Sequence, residues 1–267
     1  MRTSLARYSL AGILRNKTLW AFASGFMVVW LIIGALESAP SSPLIEQLTT
    51  ASWFSIIALF GLSFIAINIA RTISHASSSL AYSFRFTKLT PKAYLAALTC
   101  CASVIGVILV TLALGMTYGL FTASFGASMP PSYPLYAIGV SALVGVFMMA
   151  FAVLLMLVAT NYLGLRSVNL IIFLPLLIIT ALGNLQMNSI IPAAAVYASP
   201  FNSIMSLLYE SYSGTTAYTQ LFNSSTQPLD TALLFLSIIV WTVALLMIDV
   251  VLLRKVKSAQ LDDGRMM

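Results

Sequence analysis

Between Lys92 and Arg166 the chain carries no charged side chain. About a quarter of the residues of an ordinary soluble domain are charged, so a water-facing fold cannot contain so long an uncharged stretch. The stretch does have the length for two helical crossings of ~30 Å of hydrocarbon. The same reading extends along the chain. Apolar runs at 18–36, 52–70, 93–121, 136–160, 168–183 and 231–253 predict an all-α, polytopic membrane protein with six transmembrane helices. Its composition, 60% hydrophobic and 7% charged, agrees.

The basic residues sort to one side of these runs. Arg2, Arg7, Arg15 and Lys17 precede the first; Arg71, Arg85, Lys88 and Lys92 lie between the second and third. Arg166 lies between the fourth and fifth, and Arg254, Lys255, Lys257 and Arg265 follow the sixth. The opposite loops hold Glu37, Glu46, Glu210 and Asp230 and no base. By the positive-inside rule both ends of the chain face the cytoplasm, as expected of a multi-pass protein of the cell membrane. The net charge of +6 is then the orienting charge of inner loops. It attracts anionic membrane lipid and is no sign of a nucleic-acid partner. The run 18–36 is longer than a signal-peptide core of about 7–15 residues, and no A-x-A site follows it, so it reads as a retained span.

Two connections carry more information than the spans. The first, on the basic side, contains 77–90. Ser77, Ser78 and Ser79 offer a cap for a short helix, on which Leu80, Phe84 and Thr87 share one face while Tyr82 and Phe86 point elsewhere. Pro91 stands where the third span begins, a favoured place for proline. This predicts a short helix showing aromatic and basic side chains to the cytoplasm; the plainer reading is an interfacial helix with its aromatics at the lipid headgroups. The second connection, 184–210, is external and apolar, yet Pro192 and Pro200 cut it into pieces too short to cross. Such pieces read as a re-entrant or interfacial hairpin at the outer mouth of a pathway, or as a lid that only packs the spans. Pro175 predicts a kink in the short fifth span. A glycosylation sequon stands at Asn223-Ser224-Ser225 on the outer side.

Catalytic chemistry finds few residues. His75 is the one histidine and falls in a loop; no cluster of metal ligands exists. No span holds the His of an intramembrane serine protease or the His and acidic pairs of a metalloprotease. Cys100 and Cys101 are adjacent in the third span and read as small packing residues. Gly115 and Gly119, and Ser141 and Gly145, have the four-residue spacing of close helix contacts. Asp249 is the one acid inside a span. The expectation is an ion pair near the membrane boundary, with Arg254 or Lys255, or with Lys92 or Arg71. The alternative is an ion-coupled carrier that uses Asp249 as its proton or cation site.

The stretches SLAYSFRFTKLTPKAYLAAL and IIPAAAVYASPFNSIMSLLYE are similar to two patterns of the permease subunits of ABC-2 type exporters. One is a coupling helix followed by Ser/Thr-Pro and the third span. The other is an external Pro, a short apolar helix, an Asn/Ser-Pro and a further helix. The whole chain, 1–267, resembles one such permease domain, although the acidic residue and Gly-Thr pair that many members carry before the coupling helix are missing here. The resemblance implies that ATP and Mg bind in a separate cytoplasmic ABC ATPase, with no cofactor in this chain, which also lacks G-x-x-x-x-G-K-[ST]. It implies a second permease copy, identical or related, around the path. It implies that Ser83, Phe84, Arg85, Phe86, Thr87 and Lys88 meet the ATPase, with Phe84 and Phe86 as apolar anchors and Arg85 and Lys88 at the rim. It further implies that Pro192, Pro200 and Asn202 shape the external hairpin. The uncharged spans suit an amphipathic or lipid-like substrate. A non-transporting membrane anchor would share the basic inner face but has no need of the apolar outer hairpin.

Overall fold

A computed structural model describes residues 2–38, 42–87, 89–160, 169–222 and 226–254, with side chains except at 2–6, 75–81, 85 and 169–170. The sequon at 223–225, Lys88, Arg166, Lys255, Lys257 and Arg265 lie outside the described residues, as do the side chains of His75, the serine cluster and Arg85. The described chain is helical: α1 (Arg2–Leu14), α2 (Lys17–Glu37), α3 (Pro43–Phe86), α4 (Pro91–Phe125), α5 (Pro134–Val158), α6 (Asn169–Ile172), α7 (Leu174–Asn188), α8 (Ala193–Ala198), α9 (Pro200–Ser213) and α10 (Thr231–Arg254). Among the described residues, five helices are long and apolar enough to cross a membrane: α2, α3 over Pro43–Ser74, α4, α5 and α10.

Helix α3 is the post around which the others stand. Its residues from Thr50 to Ala70 are all buried, against α2, α4, α5, α7 and α9. A helix that is apolar on every side is stable only when enclosed on every side. With 44 residues and about 1.5 Å of rise each, α3 is ~66 Å long, roughly twice the hydrocarbon thickness. Its last turns therefore project beyond the apolar layer at the basic end. The separate short helix expected over 77–90 is not formed, because α3 continues unbroken to Phe86. No Gly or Pro stands between Leu62 and Thr90 to interrupt it, and serines tolerate a helix interior at modest cost. The break comes at Thr87, which is extended (φ −120°, ψ 172°). Thr90 then caps α4, its side chain accepting from Ala93 N at 3.2 Å, with Pro91 in the first turn.

Helices α4 and α5 touch backbone to backbone. A Cβ on Gly106 would lie 2.6 Å from Ser141 O, and one on Gly145 would meet Ala102 O. Small residues allow this approach where apolar lipid provides no driving force between helices. Ser141 and Gly145 thus pack as their spacing suggested, but against Ala102 and Gly106. Gly115 and Gly119 face open space.

Candidate functional site

At the end of the bundle away from the basic loops, α7, α8 and α9 form a clasp. Asn188 ends α7, and Pro192 N-caps α8 with its carbonyl accepting from Ala195 N and Val196 N. Ser199 caps α9, and Pro200 supplies its first turn. All of α9 beyond Pro200 is buried, against α3, α5, α7, α8 and α10. Asn202 Nδ2 donates to Gln186 Oε1 at 2.8 Å, and Gln186 Nε2 donates to Ser206 Oγ at 2.9 Å, all within the apolar interior. The clasp reaches α10 as well: Trp241 Nε1 donates to Ala198 O at 3.0 Å and Asp230 N to Tyr197 OH at 2.8 Å.

Beside the clasp opens a cavity of about 680 Å³, lined by 132–136, Glu210, 214–216 and Thr231. Glu210 is its one ionisable carboxyl. Its Oε1 accepts from Ala217 N at 3.1 Å and from Thr231 Oγ1 at 3.2 Å, and its Oε2 accepts a long bond from Tyr136 OH at 3.5 Å. Burial raises the Glu210 pKa above the ordinary carboxylate range; the three donors oppose the shift and Asp230 adds to it. The N-terminus of α10, where Thr231 stands, favours negative charge nearby. The result is a carboxyl set among hydroxyls (Ser132, Tyr136, Thr215, Thr216) in an otherwise apolar recess. The chemistry of such a recess is complementary to a hydrogen-bond donor or a positive charge carried on an apolar body. Sequence reasoning passed over Glu210, although it is the single charged residue between Arg166 and Asp230.

The basic end is arranged differently. Tyr82 and Phe86, one helical turn apart, pair with ring centroids 4.7 Å apart and are 64% and 71% exposed. Phe84 is half-buried, turned back onto Tyr94 of α4 at 5.9 Å. Of the two expected anchors, Phe86 is exposed and pairs with Tyr82, while Phe84 packs in part against Tyr94. The four-residue spacing of Tyr82 and Phe86 already carried that signal. Ser83 O accepts from Thr87 N at 3.0 Å and from Thr87 Oγ1 at 2.6 Å, closing the end of α3. Arg71 lies over the Phe173 ring at 5.8 Å.

Asp249 meets none of Arg254, Lys92 and Arg71, and the fourth expected partner, Lys255, lies outside the described residues. Asp249 is fully buried, and neither carboxyl oxygen has a hydrogen-bond partner among the described residues. Arg254 is exposed on the same helix. Five residues at about 100° each leave the two side chains roughly 140° apart around α10, too far round for an ion pair. Asp249 instead points into the bundle, on the face with Ser237, Thr242 and Leu245 that α10 turns inward.

No protein-family model matches the chain, and no curated protein matches it in sequence.

Proposed function

We propose that the chain is the membrane-spanning permease subunit of an ATP-driven exporter of the ABC-2 type, working with a separate cytoplasmic ATPase and a second permease, identical or related. In this reading the chain crosses the cell membrane six times with both ends in the cytoplasm. The fifth crossing is α6 with α7: residues 169–188 reach ~30 Å at about 1.5 Å each, one hydrocarbon thickness, with the break at Phe173 beside Pro175. The observation that carries the reading is the clasp. Apolar chain that leaves α7 folds back through α8 into the wholly buried α9, and this supports the reading because such permeases carry a broken hairpin between their fifth and sixth spans.

The exposed Tyr82–Phe86 pair at the end of the projecting α3 is the docking point for the ATPase. A push on that end is carried along one uninterrupted helix to the centre of the bundle. The Glu210 recess is the outer mouth through which an amphipathic substrate leaves. The test is affinity purification of the tagged chain from native membranes. The wild type brings down an ATPase in near-equal amount, and Tyr82→Asp/Phe86→Asp loses it while the permease still accumulates. Purification without an ATPase in mild detergent overturns the reading.

A second reading rests on Asp249. A buried carboxyl in a span with no partner among the described residues is where an ion-coupled carrier takes up a proton or cation. Asp249→Asn separates the two: abolished transport with normal assembly supports coupling at Asp249, whereas full transport assigns Asp249 no part in it.

A further inference from the structure

We infer that the groove between α4 and α10 at the basic end holds an anionic phospholipid, with the phosphate at Lys92 and Arg254 and an acyl chain along the apolar wall below. The groove measures about 690 Å³ and is walled by Leu95 and Ala96 of α4 and by Leu246, Met247 and Val250 of α10. Its two charges are Lys92, in the first turn of α4, and Arg254, at the last residue of α10, both at the basic end. Neither is engaged in an ion pair among the described residues.

Three features select the occupant. The first is length. From Val243 to Arg254 the α10 wall rises ~16 Å at about 1.5 Å per residue, close to half of ~30 Å of hydrocarbon and so to one leaflet. The second is polarity. Met247 and Val251 are 62% and 51% exposed, facing surroundings that must be apolar, while the rim is doubly positive. A chain with a negative head matches both parts, and a neutral lipid matches only one. The third feature argues against a second copy of this chain. Two copies in one membrane share an orientation, so basic end meets basic end. Among the described residues, the acids lie at the opposite end except Asp249, which is fully buried. A second copy therefore offers no described carboxylate to Lys92 and Arg254. Basic side chains at the membrane surface gain about 1 kcal/mol each from anionic lipid, and the groove adds contact along the acyl chain. Occupancy does not depend on what the protein transports. Only the assignment to the inner leaflet rests on the orientation proposed above.

The full chain, purified in mild detergent with equal phosphatidylglycerol and phosphatidylcholine, tests this by native mass spectrometry. The wild type retains phosphatidylglycerol several-fold over phosphatidylcholine. Lys92→Gln/Arg254→Gln retains both equally. Met247→Trp, which fills the groove and leaves the charges in place, retains less of either. All three sites face outward, and an unchanged elution volume confirms that the variants fold. Equal retention of the two lipids by the wild type overturns the inference, as does a preference that survives loss of both charges. A dimer that Met247→Trp dissociates with lipid preference unaltered also overturns it, and gives the groove to a second copy.

Discussion

The two ends of the bundle are built on different principles. At the acidic end, hydrogen bonds cross between elements distant in sequence. Gln47 Nε2 donates to Pro130 O at 3.1 Å and to Tyr212 O at 3.3 Å, and Tyr212 OH donates to Met129 O at 2.8 Å. Tyr133 N donates to Ser211 O at 2.9 Å, and Leu221 N to Gln186 O at 3.2 Å. At the basic end the described hydrogen bonds are local, such as Trp20 Nε1 to Leu14 O at 2.9 Å and Thr87 to Ser83. Exposed aromatic rings and, among the described residues, bases outside any ion pair take the place of a locked network there. A region tied by long-range bonds resists opening, whereas one held by local bonds leaves its surface free for a partner. In the proposed reading the clasp is a fixed frame, and the projecting end of α3 is a handle.

Substitutions should separate frame from handle. The largest effect is expected at Tyr212, fully buried, tilted against the Phe54 ring at 5.0 Å and joined to the loop before α5. Tyr212→Ala should cost about 3–5 kcal/mol, read as a shift in the denaturant midpoint of the purified protein. Next is Asn202→Ala, which leaves Gln186 Oε1 unpaired in the interior. A loss of about 1–3 kcal/mol is expected by the same measurement, and an unchanged midpoint would show that the Gln186–Asn202–Ser206 chain does not hold the clasp.

Glu210 gives a smaller, pH-dependent effect. Its pKa is raised on folding, so the folded state binds its proton more tightly than the unfolded state does. The stability it contributes is present below the ordinary carboxylate range and is lost as pH rises through the raised folded value. Thermal scans across that window should show stability falling with pH in the wild type and a flatter profile in Glu210→Gln. Smallest is the effect at the handle. Phe86→Ala should change stability by less than about 0.5 kcal/mol and yet reduce recovery of the ATPase; destabilisation as large as at Tyr212 would remove the contrast between the ends.

Much of this was legible from residue order, for physical reasons that differ by element. The bounds of α2, α4, α5 and α10 follow closely from apolar runs ended by Pro, Gly or charge, since the bilayer and the helix period leave little latitude. The length of α3 was not legible, because polar residues end an apolar run without ending a helix. The clasp was marked by Pro192 and Pro200 and by its apolar character, but the choice between a re-entrant hairpin and a packing lid was not, since it depends on partners on α3 and α10 that residue order does not name. At Asp249, nearness along the chain suggested Arg254, and helical geometry separates them. The packing of Phe84 was not legible for a similar reason: the face an aromatic occupies is known only with its neighbours, and here it meets Tyr94.

The central claim is that the end of α3 docks a cytoplasmic ATPase, and a photo-crosslinker in place of Phe86 tests it most directly. Irradiation of native membranes should join the chain to a Walker-motif ATPase, with the adduct absent when the same group replaces Met247 in the α4–α10 groove. Crosslinks at position 86 to lipid alone, or equal ATPase crosslinking from both positions, would contradict the account.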